Sequence, residues 1–188
     1  MTKSLKYTMR NIAIGLSIAM FFSCSNDIKE VRDFLAEKNK PIGVAENIYN
    51  VHTDSGRVDM KISTPLRLDF SNRKNHPYDE FPEGLKIVTI DKNNDSLLVT
   101  GDYAINYTKT GIAEIIGNVV IVNHEDYKKL RTEQLYWDQK IKYFYTEKPF
   151  TLYTLTDTIY GIGLDASEDL KQYMVKNNRG SFTINETN

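Results

Sequence analysis

After about residue 45, apolar and polar residues alternate along much of the chain, which is the pattern of β-strands with one buried face. Residues 45–53 and 57–62 alternate on either side of a turn at 54–56, and this arrangement predicts a hairpin. Pro65 cannot donate a hydrogen bond to a neighbouring strand, so we expect it at the edge of the sheet or at the end of a strand. Strand-like residues resume at 85–90, after a polar, turn-rich segment at 72–82.

A strand–turn–strand unit recurs three times between residues 97 and 175. The units open at residues 98–107, 130–137 and 159–166. Thr100, Thr132 and Gly161 mark equivalent positions about 30 residues apart, and self-similarity at such a period indicates a repeated architecture. Because this region has no convincing helical pattern, we predict an all-β fold of repeated hairpins, in the form of a sandwich, a roll or a barrel.

The N-terminus has the features of an export signal. Three basic residues precede an apolar run of about 11 residues at 12–22, which ends at Ser23 and Cys24. A helix needs roughly 18 apolar residues to cross the hydrocarbon core of a bilayer, so the run fits a cleaved signal peptide at 1–23 better than a permanent span.

Cys24 is the single cysteine of the chain, and its position directly after a small residue is typical of a bacterial lipoprotein cleavage site. We therefore predict that its thiol is acylated and anchors the mature protein to a membrane. The alternatives are a free buried cysteine and an uncleaved segment that remains as a short anchor. The predicted organisation is a signal peptide (1–23), a lipidated N-terminus with a short helix or linker (24–44) and one β domain (45–188).

The charge of the chain argues against a nucleic-acid partner. Lys and Arg number 24 and Asp and Glu number 25, and three of the basic residues belong to the predicted signal peptide. Its removal leaves 21 basic against 25 acidic residues, a net charge of about −4. Binding to phosphate backbones requires a basic surface, which a mildly acidic chain does not favour.

Motifs for a cofactor, a metal or catalysis are weak. The string GIGLDA at 161–166 fits a dinucleotide fingerprint, but too few residues follow it for the strand–helix–strand unit that the motif requires. His52, His76 and His124 are scattered and lack the spacing of metal ligands. Many Asp residues fall at turns, where their local hydrogen bonding is useful. We therefore predict no cofactor, no metal and no enzymatic activity; a hydrolase would need two carboxylates that converge in a cleft.

Five short segments, in their order and spacing, resemble the LptC family, the membrane-anchored periplasmic component of the lipopolysaccharide export machine. The segments are GDYA (101–104), GNVVI (117–121), LRTEQLYWD (130–138), KPFTL (148–152) and IYGIGL (159–164), and the resemblance extends over residues 45–182. It implies an open antiparallel β-jelly roll, a folded sheet whose apolar interior holds the acyl chains of lipid A. It also implies a non-catalytic conduit in lipopolysaccharide transport.

The resemblance also implies partners and a location. The partners are the subunits of an inner-membrane ABC transporter, which load the lipid, and a periplasmic jelly-roll bridge protein joined by pairing of edge strands. The expected location is the periplasmic side of the inner membrane of a Gram-negative envelope. LptC proteins commonly keep an uncleaved transmembrane helix, whereas Cys24 here indicates a lipid anchor.

The candidates for lipid contact are apolar positions in the strands that carry the resemblance; an ordinary core position is the alternative for each of them. They are Ile105, Val119, Ile121, Leu135, Trp137, Ile141, Phe150, Leu152 and Leu164. A second function fits the same pattern, namely a surface lipoprotein that binds carbohydrate or protein through a closed β-sandwich with exposed tyrosines.

Overall fold

The computed structural model describes residues 40–178. The predicted signal peptide, Cys24 and the short helix or linker that follows it lie outside the described residues. Within 40–178 the chain forms strands and turns, and no helix there is long and apolar enough to cross a bilayer. The strands are β1 (Gly43–Asp54), β2 (Arg57–Asp69), β3 (Asp79–Phe81), β4 (Leu85–Ile90), β5 (Ser96–Gly101), β6 (Tyr103–Tyr107), β7 (Ile112–Asn123), β8 (Lys128–Asp138), β9 (Tyr143–Tyr153), β10 (Thr158–Ser167) and β11 (Tyr173–Asn178). The prediction of an all-β fold is confirmed.

The strands form one antiparallel sheet of eleven strands. We call each crossing of the sheet by the chain a pass, whether one strand or two successive strands make it. β3 and β4 together make one pass, because β3 pairs with β6 and β4 pairs with β5. β5 and β6 likewise make one pass alongside β7. Each pass therefore lies beside the pass that precedes it in the chain, from β1 at one margin to β11 at the other. This order follows from the short turns of the predicted hairpins, which bring consecutive strands together.

An irregularity crosses every pass from β2 to β10 at the same level, and we name it the bend line. Between β8 and β9, three residues of β8 oppose four of β9, and the ladders of β7 with β8 and of β9 with β10 also shift there. In the passes made of two strands, the bend line lies between β3 and β4 and between β5 and β6. A β-bulge bends its strand, so bulges at one level bend the whole sheet.

The bend line divides the sheet into two halves. The β5 half contains residues 48–63, 85–101, 119–132 and 149–162, and the β6 half contains residues 66–69, 79–81, 103–116, 134–146 and 164–175. Side chains on a single sheet face can be fully buried only if another layer covers them. Ile121 and Leu152 in one half and Leu135 and Phe144 in the other are 0% exposed, so the two halves pack face to face.

Three expectations about this region need correction. Pro65 lies inside β2 rather than at its end, at the bend line, where pairing with both neighbours is interrupted and its missing N–H leaves no partner unsatisfied. The turn-rich segment at 72–82 contains the short strand β3. The stretch predicted as one strand at 98–107 is divided at Asp102, whose N–H donates to the carbonyls of Ile116 and Gly117.

Buried threonines satisfy backbone groups that the bend line leaves without ladder partners. Thr64 donates to the carbonyl oxygen of Gly84 over 2.8 Å, and Thr132 donates to the carbonyl oxygen of Pro149 over 3.0 Å. Thr146, which is fully buried, accepts a hydrogen bond of 3.0 Å from the N–H of Lys148. Because an unpaired buried polar group costs roughly 1–3 kcal/mol, these hydroxyls stabilise the bend.

The two margins of the sheet are unpaired within the described residues. β1 pairs with β2, and β11 pairs with β10, each along one side. β1 is exposed on both faces apart from the half-buried Gly43 and Ile48, and Val44 and Tyr49 expose more than half of their surface. The strand therefore extends beyond the packed interior.

Candidate functional site

The interior between the two halves contains most of the residues predicted to contact lipid. Seven of them are buried there, namely Val119, Ile121, Leu135, Trp137, Phe150, Leu152 and Leu164. The protein's own side chains thus fill most of the space that the family resemblance implies as an open groove. In the described state the interior is closed, apart from the cavity described below.

Ile105 and Ile141 lie elsewhere. Ile105 is half-buried and pairs directly with Glu80 and Glu114, so its side chain shares their outer face, although the residue borders the cavity. Ile141 was expected on a returning strand, but β9 begins two residues later. The turn between β8 and β9 leaves Ile141 69% exposed.

An apolar cavity of about 120 Å³ remains in the interior. Its lining combines β2 and β4 of the β5 half with β3, β6, β7 and β8. The lining residues are Met60, Ile62, Phe81, Leu85, Ile87, Ala104, Ile105, Asn106, Ala113, Ile115, Trp137 and Gln139. The two polar members are joined to each other, since Gln139 Nε2 donates to Asn106 Oδ1 over 3.1 Å. Most of these residues were absent from the sequence-based candidates, although Met60 and Ile62 belong to an alternation that indicated a buried face.

A polar cleft of about 280 Å³ adjoins the cavity. Met60, Trp137 and Gln139 line both spaces, so they form the boundary between an apolar and a polar compartment. The other residues of the cleft are His52, Asp59, Thr89, Ile90, Asp91, Lys142 and Glu168. We name this junction the portal.

Trp137 is the central residue of the portal. Its ring packs against Phe144, with ring centres 5.7 Å apart, and the residue is only 4% exposed. Its indole N–H makes no hydrogen bond of ordinary geometry in the described part of the chain. The N–H lies near enough to the Glu168 carboxyl group to lower its pKa, although the contact falls outside ordinary hydrogen-bond geometry. A buried donor at the edge of a cleft is therefore available to an acceptor from outside.

Glu168 lies on the polar side of the portal. Burial raises the pKa of its carboxyl group, and the neighbouring Asp169 charge acts in the same direction. The ammonium group of Lys142 opposes this rise from 4.0 Å, and its side chain is largely exposed. The backbone N–H of Glu168 also donates to the carbonyl of Lys142, which fixes the two turns to each other.

Hydrogen bonds join the two halves at the turns between β7 and β8 and between β10 and β11. Asn123 Nδ2 donates to the carbonyl of Asp169 over 2.6 Å, and Lys128 Nζ donates to that of Leu170 over 3.1 Å. Lys171 and Glu125 add an ion pair of 2.8 Å. We name this set of contacts the clasp. Leu170, 1% exposed, belongs to the hydrophobic core directly beneath it.

A separate groove of about 550 Å³ lies on the outer face near the bend line. Tyr153 and Tyr160 line it and are 37% and 56% exposed. Thr151 of β9 pairs with Arg131 of β8 on one side and with Tyr160 of β10 on the other, and all three line the same groove. The groove presents aromatic and polar groups to solvent and is separated from the cavity by the sheet itself.

Comparison with known proteins gives one family. The sequence profile of the family described as lipopolysaccharide-assembly, LptC-related, matches residues 12–182. No curated protein sequence matches the chain. The family match spans all the described strands and extends into the apolar run of the N-terminus.

Proposed function

The chain belongs to the LptC-related family of lipopolysaccharide-assembly proteins and has a role in lipopolysaccharide transport; within that role, we propose that it is a non-catalytic conduit for the acyl chains of lipid A. The observation that carries the proposal is the folded sheet, whose two halves enclose a continuous apolar interior. Acyl chains partition into such an interior because burial of each methylene is worth about 0.8 kcal/mol.

The conduit must open to accept a lipid. A volume of about 120 Å³ is only a few times the volume that a water molecule takes up in the liquid, so the cavity admits no more than the end of one acyl chain. Separation of the β5 half from the β6 half would enlarge it, and the bend line is where such a motion would hinge. On this proposal the described structure is the closed state.

We assign the two unpaired margins of the sheet to the partners. Among residues 40–178, β1 and β11 each have one side without a paired strand, and such an edge pairs readily with a strand of another protein. One margin would join a subunit of the inner-membrane ABC transporter, and the other a periplasmic jelly-roll bridge protein. A continuous sheet across these proteins would give a continuous apolar path. Acylated Cys24 would keep the chain at the periplasmic face of the inner membrane.

Site-specific photo-crosslinking tests the conduit with a matched pair of positions. Phe144 points into the interior and is fully buried, whereas its neighbour Tyr145 stacks on Tyr136, 5.0 Å between ring centres, on the outer face. A photoreactive phenylalanine analogue at 144 should trap lipopolysaccharide in cells, and the same analogue at 145 should not. Absence of an adduct at 144 and also at Leu135 and Leu152 would overturn the proposal.

The outer groove supports a second candidate function, a surface lipoprotein that binds carbohydrate. The closed interior and the exposed Tyr153 and Tyr160 favour it, since aromatic rings with a polar edge provide stacking surfaces. Depletion of the protein distinguishes the two functions. Lipopolysaccharide that accumulates at the inner membrane supports the conduit, and normal export together with lost glycan binding supports the alternative.

A further inference from the structure

Two neighbouring stretches along the opening between the halves differ in how they are closed, although Glu168 of the portal directly precedes Asp169 of the clasp. At the turns that contain Asn123 and Leu170, the clasp joins the β5 half to the β6 half through three polar contacts. At the portal, the structure instead has an apolar cavity and a polar cleft that share Met60, Trp137 and Gln139. The portal is therefore the stretch of the opening at which an amphiphile meets an apolar space behind a polar cleft.

The N–H of Trp137 has no acceptor of ordinary geometry among residues 40–178, and this identifies one chemical group of such an amphiphile. A buried donor without an acceptor destabilises the fold, and an acceptor that arrives in the cleft removes that penalty. The ring lines the apolar cavity at the same time, so a ligand that satisfies the N–H would extend an apolar chain along the ring. An acyl chain with an ester or amide carbonyl at its head has this combination.

The charges of the cleft exclude a phosphate as the preferred acceptor. Asp91 and Glu168 line the cleft, opposed by Lys142. His52 and Asp59 are already paired to each other over 2.6 Å. A phosphate would face an excess of carboxylates, whereas a neutral carbonyl would not be repelled.

We propose that Trp137 receives the acyl chain at the portal by donating its indole N–H to the ester or amide carbonyl at the head of that chain, while the first methylenes enter the apolar cavity. This inference rests on the proposed function, because it specifies where and by which group the lipid enters the conduit. It makes Trp137 a specificity-determining residue that distinguishes acyl chains from alkyl chains.

Two amphiphiles that differ at this group provide the test. Decanoyl-N-methylglucamide carries an amide carbonyl at the head of its chain, and decyl glucoside carries an ether oxygen there. The full-length protein, kept in solution by amphipol, is titrated with each one by calorimetry. One net hydrogen bond predicts that the amide binds about three- to tenfold more tightly. Trp137 is the single tryptophan in the sequence, so a change in its emission should accompany binding.

Trp137→Phe keeps an aromatic ring and removes the N–H. The ratio of the two affinities should fall to about one in this variant, and because the ratio is taken within one protein, a general loss of stability does not change it. Equal affinities in the unsubstituted protein, or a preference for the amide that persists in Trp137→Phe, would overturn the inference. A water molecule that satisfies the N–H would produce the first of these results.

The position of entry has its own test. A photoreactive residue at Gln139, on the rim of both portal spaces, should trap the decanoyl amphiphile, whereas one at Glu125 in the clasp should not. Equal adducts at both positions would contradict entry at the portal. Failure of the proposed function is recognised separately, because lipopolysaccharide would then leave no adduct at interior positions such as 144. If lipopolysaccharide forms the adduct at 144 but the two amphiphiles bind the unsubstituted protein with equal affinity, the conduit stands and only the proposed role of Trp137 at the portal is wrong.

Discussion

Gly84 and the backbone of Gly101 are in contact across the bend line, in adjacent passes of the sheet. A Cβ atom at Gly84 would lie 2.7 Å from the carbonyl oxygen of Gly101, which is closer than such atoms approach. Gly84 also has a φ of +84°, a conformation in which side chains are strained. The bend therefore depends on a residue without a side chain at this point, because a backbone carbonyl cannot move aside as a flexible side chain can.

Substitution of Gly84 by alanine should destabilise the fold through both effects. The matched control is Gly56→Ala, since Gly56 has a similar φ of +81° but no atom within 4 Å of the added Cβ. We expect about 1–2 kcal/mol for the control from backbone strain and at least about 1 kcal/mol more for Gly84→Ala. Urea unfolding measures both, and equal losses would show that the bend line tolerates a side chain.

The raised pKa of Glu168 predicts how stability depends on pH at the portal. Its ordinary value is 4.5, and burial keeps the proton on the folded protein at pH values where the unfolded chain has lost it. The folded state thus binds more protons, so this group lowers the free energy of unfolding as pH rises above 4.5 through the raised pKa. The effect is smallest at more acidic pH, where both states are protonated.

Glu168→Gln should remove this contribution. Relative to the unsubstituted protein, the variant should gain more stability at neutral pH than at pH 4, as measured by urea unfolding at both values. Two neighbouring charges affect the size of this gain. Loss of the attraction between Lys142 and the carboxylate makes the gain smaller, and loss of the repulsion between Asp169 and the carboxylate makes it larger. Glu133→Gln controls for the loss of one exposed charge on the outer face. A gain that is the same at both pH values would contradict the assignment.

Asn123 should control the closure of the interior at the clasp. Besides its bond to Asp169, its Oδ1 accepts from the backbone N–H groups of Glu125 and Asp126. Asn123→Ala removes all three bonds from a residue that is 4% exposed, so we expect a loss of about 1–3 kcal/mol. Hydrogen exchange in the turn at 167–172 should become faster.

The control for the clasp is Lys140→Ala, in the exposed turn between β8 and β9, where the Lys140 side chain donates to the carbonyl of Lys109 and not to the clasp. Exchange at 167–172 should stay unchanged in this variant. If the clasp also limits the opening of the conduit, Asn123→Ala should increase the lipopolysaccharide adduct at position 144. Unaltered hydrogen exchange at 167–172 in Asn123→Ala would show that Lys128 and the ion pair of Lys171 with Glu125 keep the clasp closed without Asn123.

Cys24→Ala should release the protein from membranes. The prediction follows from the position of the residue at the end of the apolar run, and it concerns a part of the chain outside the described residues. Without the acyl chains that the thiol would carry, each worth about 0.8 kcal/mol per buried methylene, the protein should move to the soluble fraction after sedimentation. A variant that still sediments with membranes would favour an uncleaved segment as the anchor.

The sequence was sufficient for most of the strands, but it missed β3 and the division between β5 and β6. Alternation of apolar and polar residues has a period of two, which depends on local backbone geometry, and short polar turns place consecutive strands side by side. The hairpin of β1 and β2 and the strands β7 to β10 follow from these signals. The family could also be recognised from short motifs, because their order and spacing do not depend on how the sheet bends.

The sequence did not determine which face of each strand is buried at every position. In β6 the residues on both faces are partly apolar, and the alternation alone favours Ile105 as an inward residue. The register with β3 and β7 places it between Glu80 and Glu114, so Ala104 is the inward residue instead. Periodicity within one strand does not show which strands pair with it or in which register. A shift of one residue in that register exchanges the inward and outward faces of the strand.

The bend line, the portal and the clasp were decided by tertiary structure. One extra residue in a strand hardly changes the sequence pattern of that strand. When such bulges are aligned across neighbouring passes, however, they fold the sheet on itself and bring distant turns together. Asn123 and the carbonyl of Asp169 are 46 residues apart in the chain, and Trp137 meets Met60 only across the closed interior. The sequence thus determined the strands because their pattern is local, whereas the enclosed space arises from packing between halves that no local pattern records.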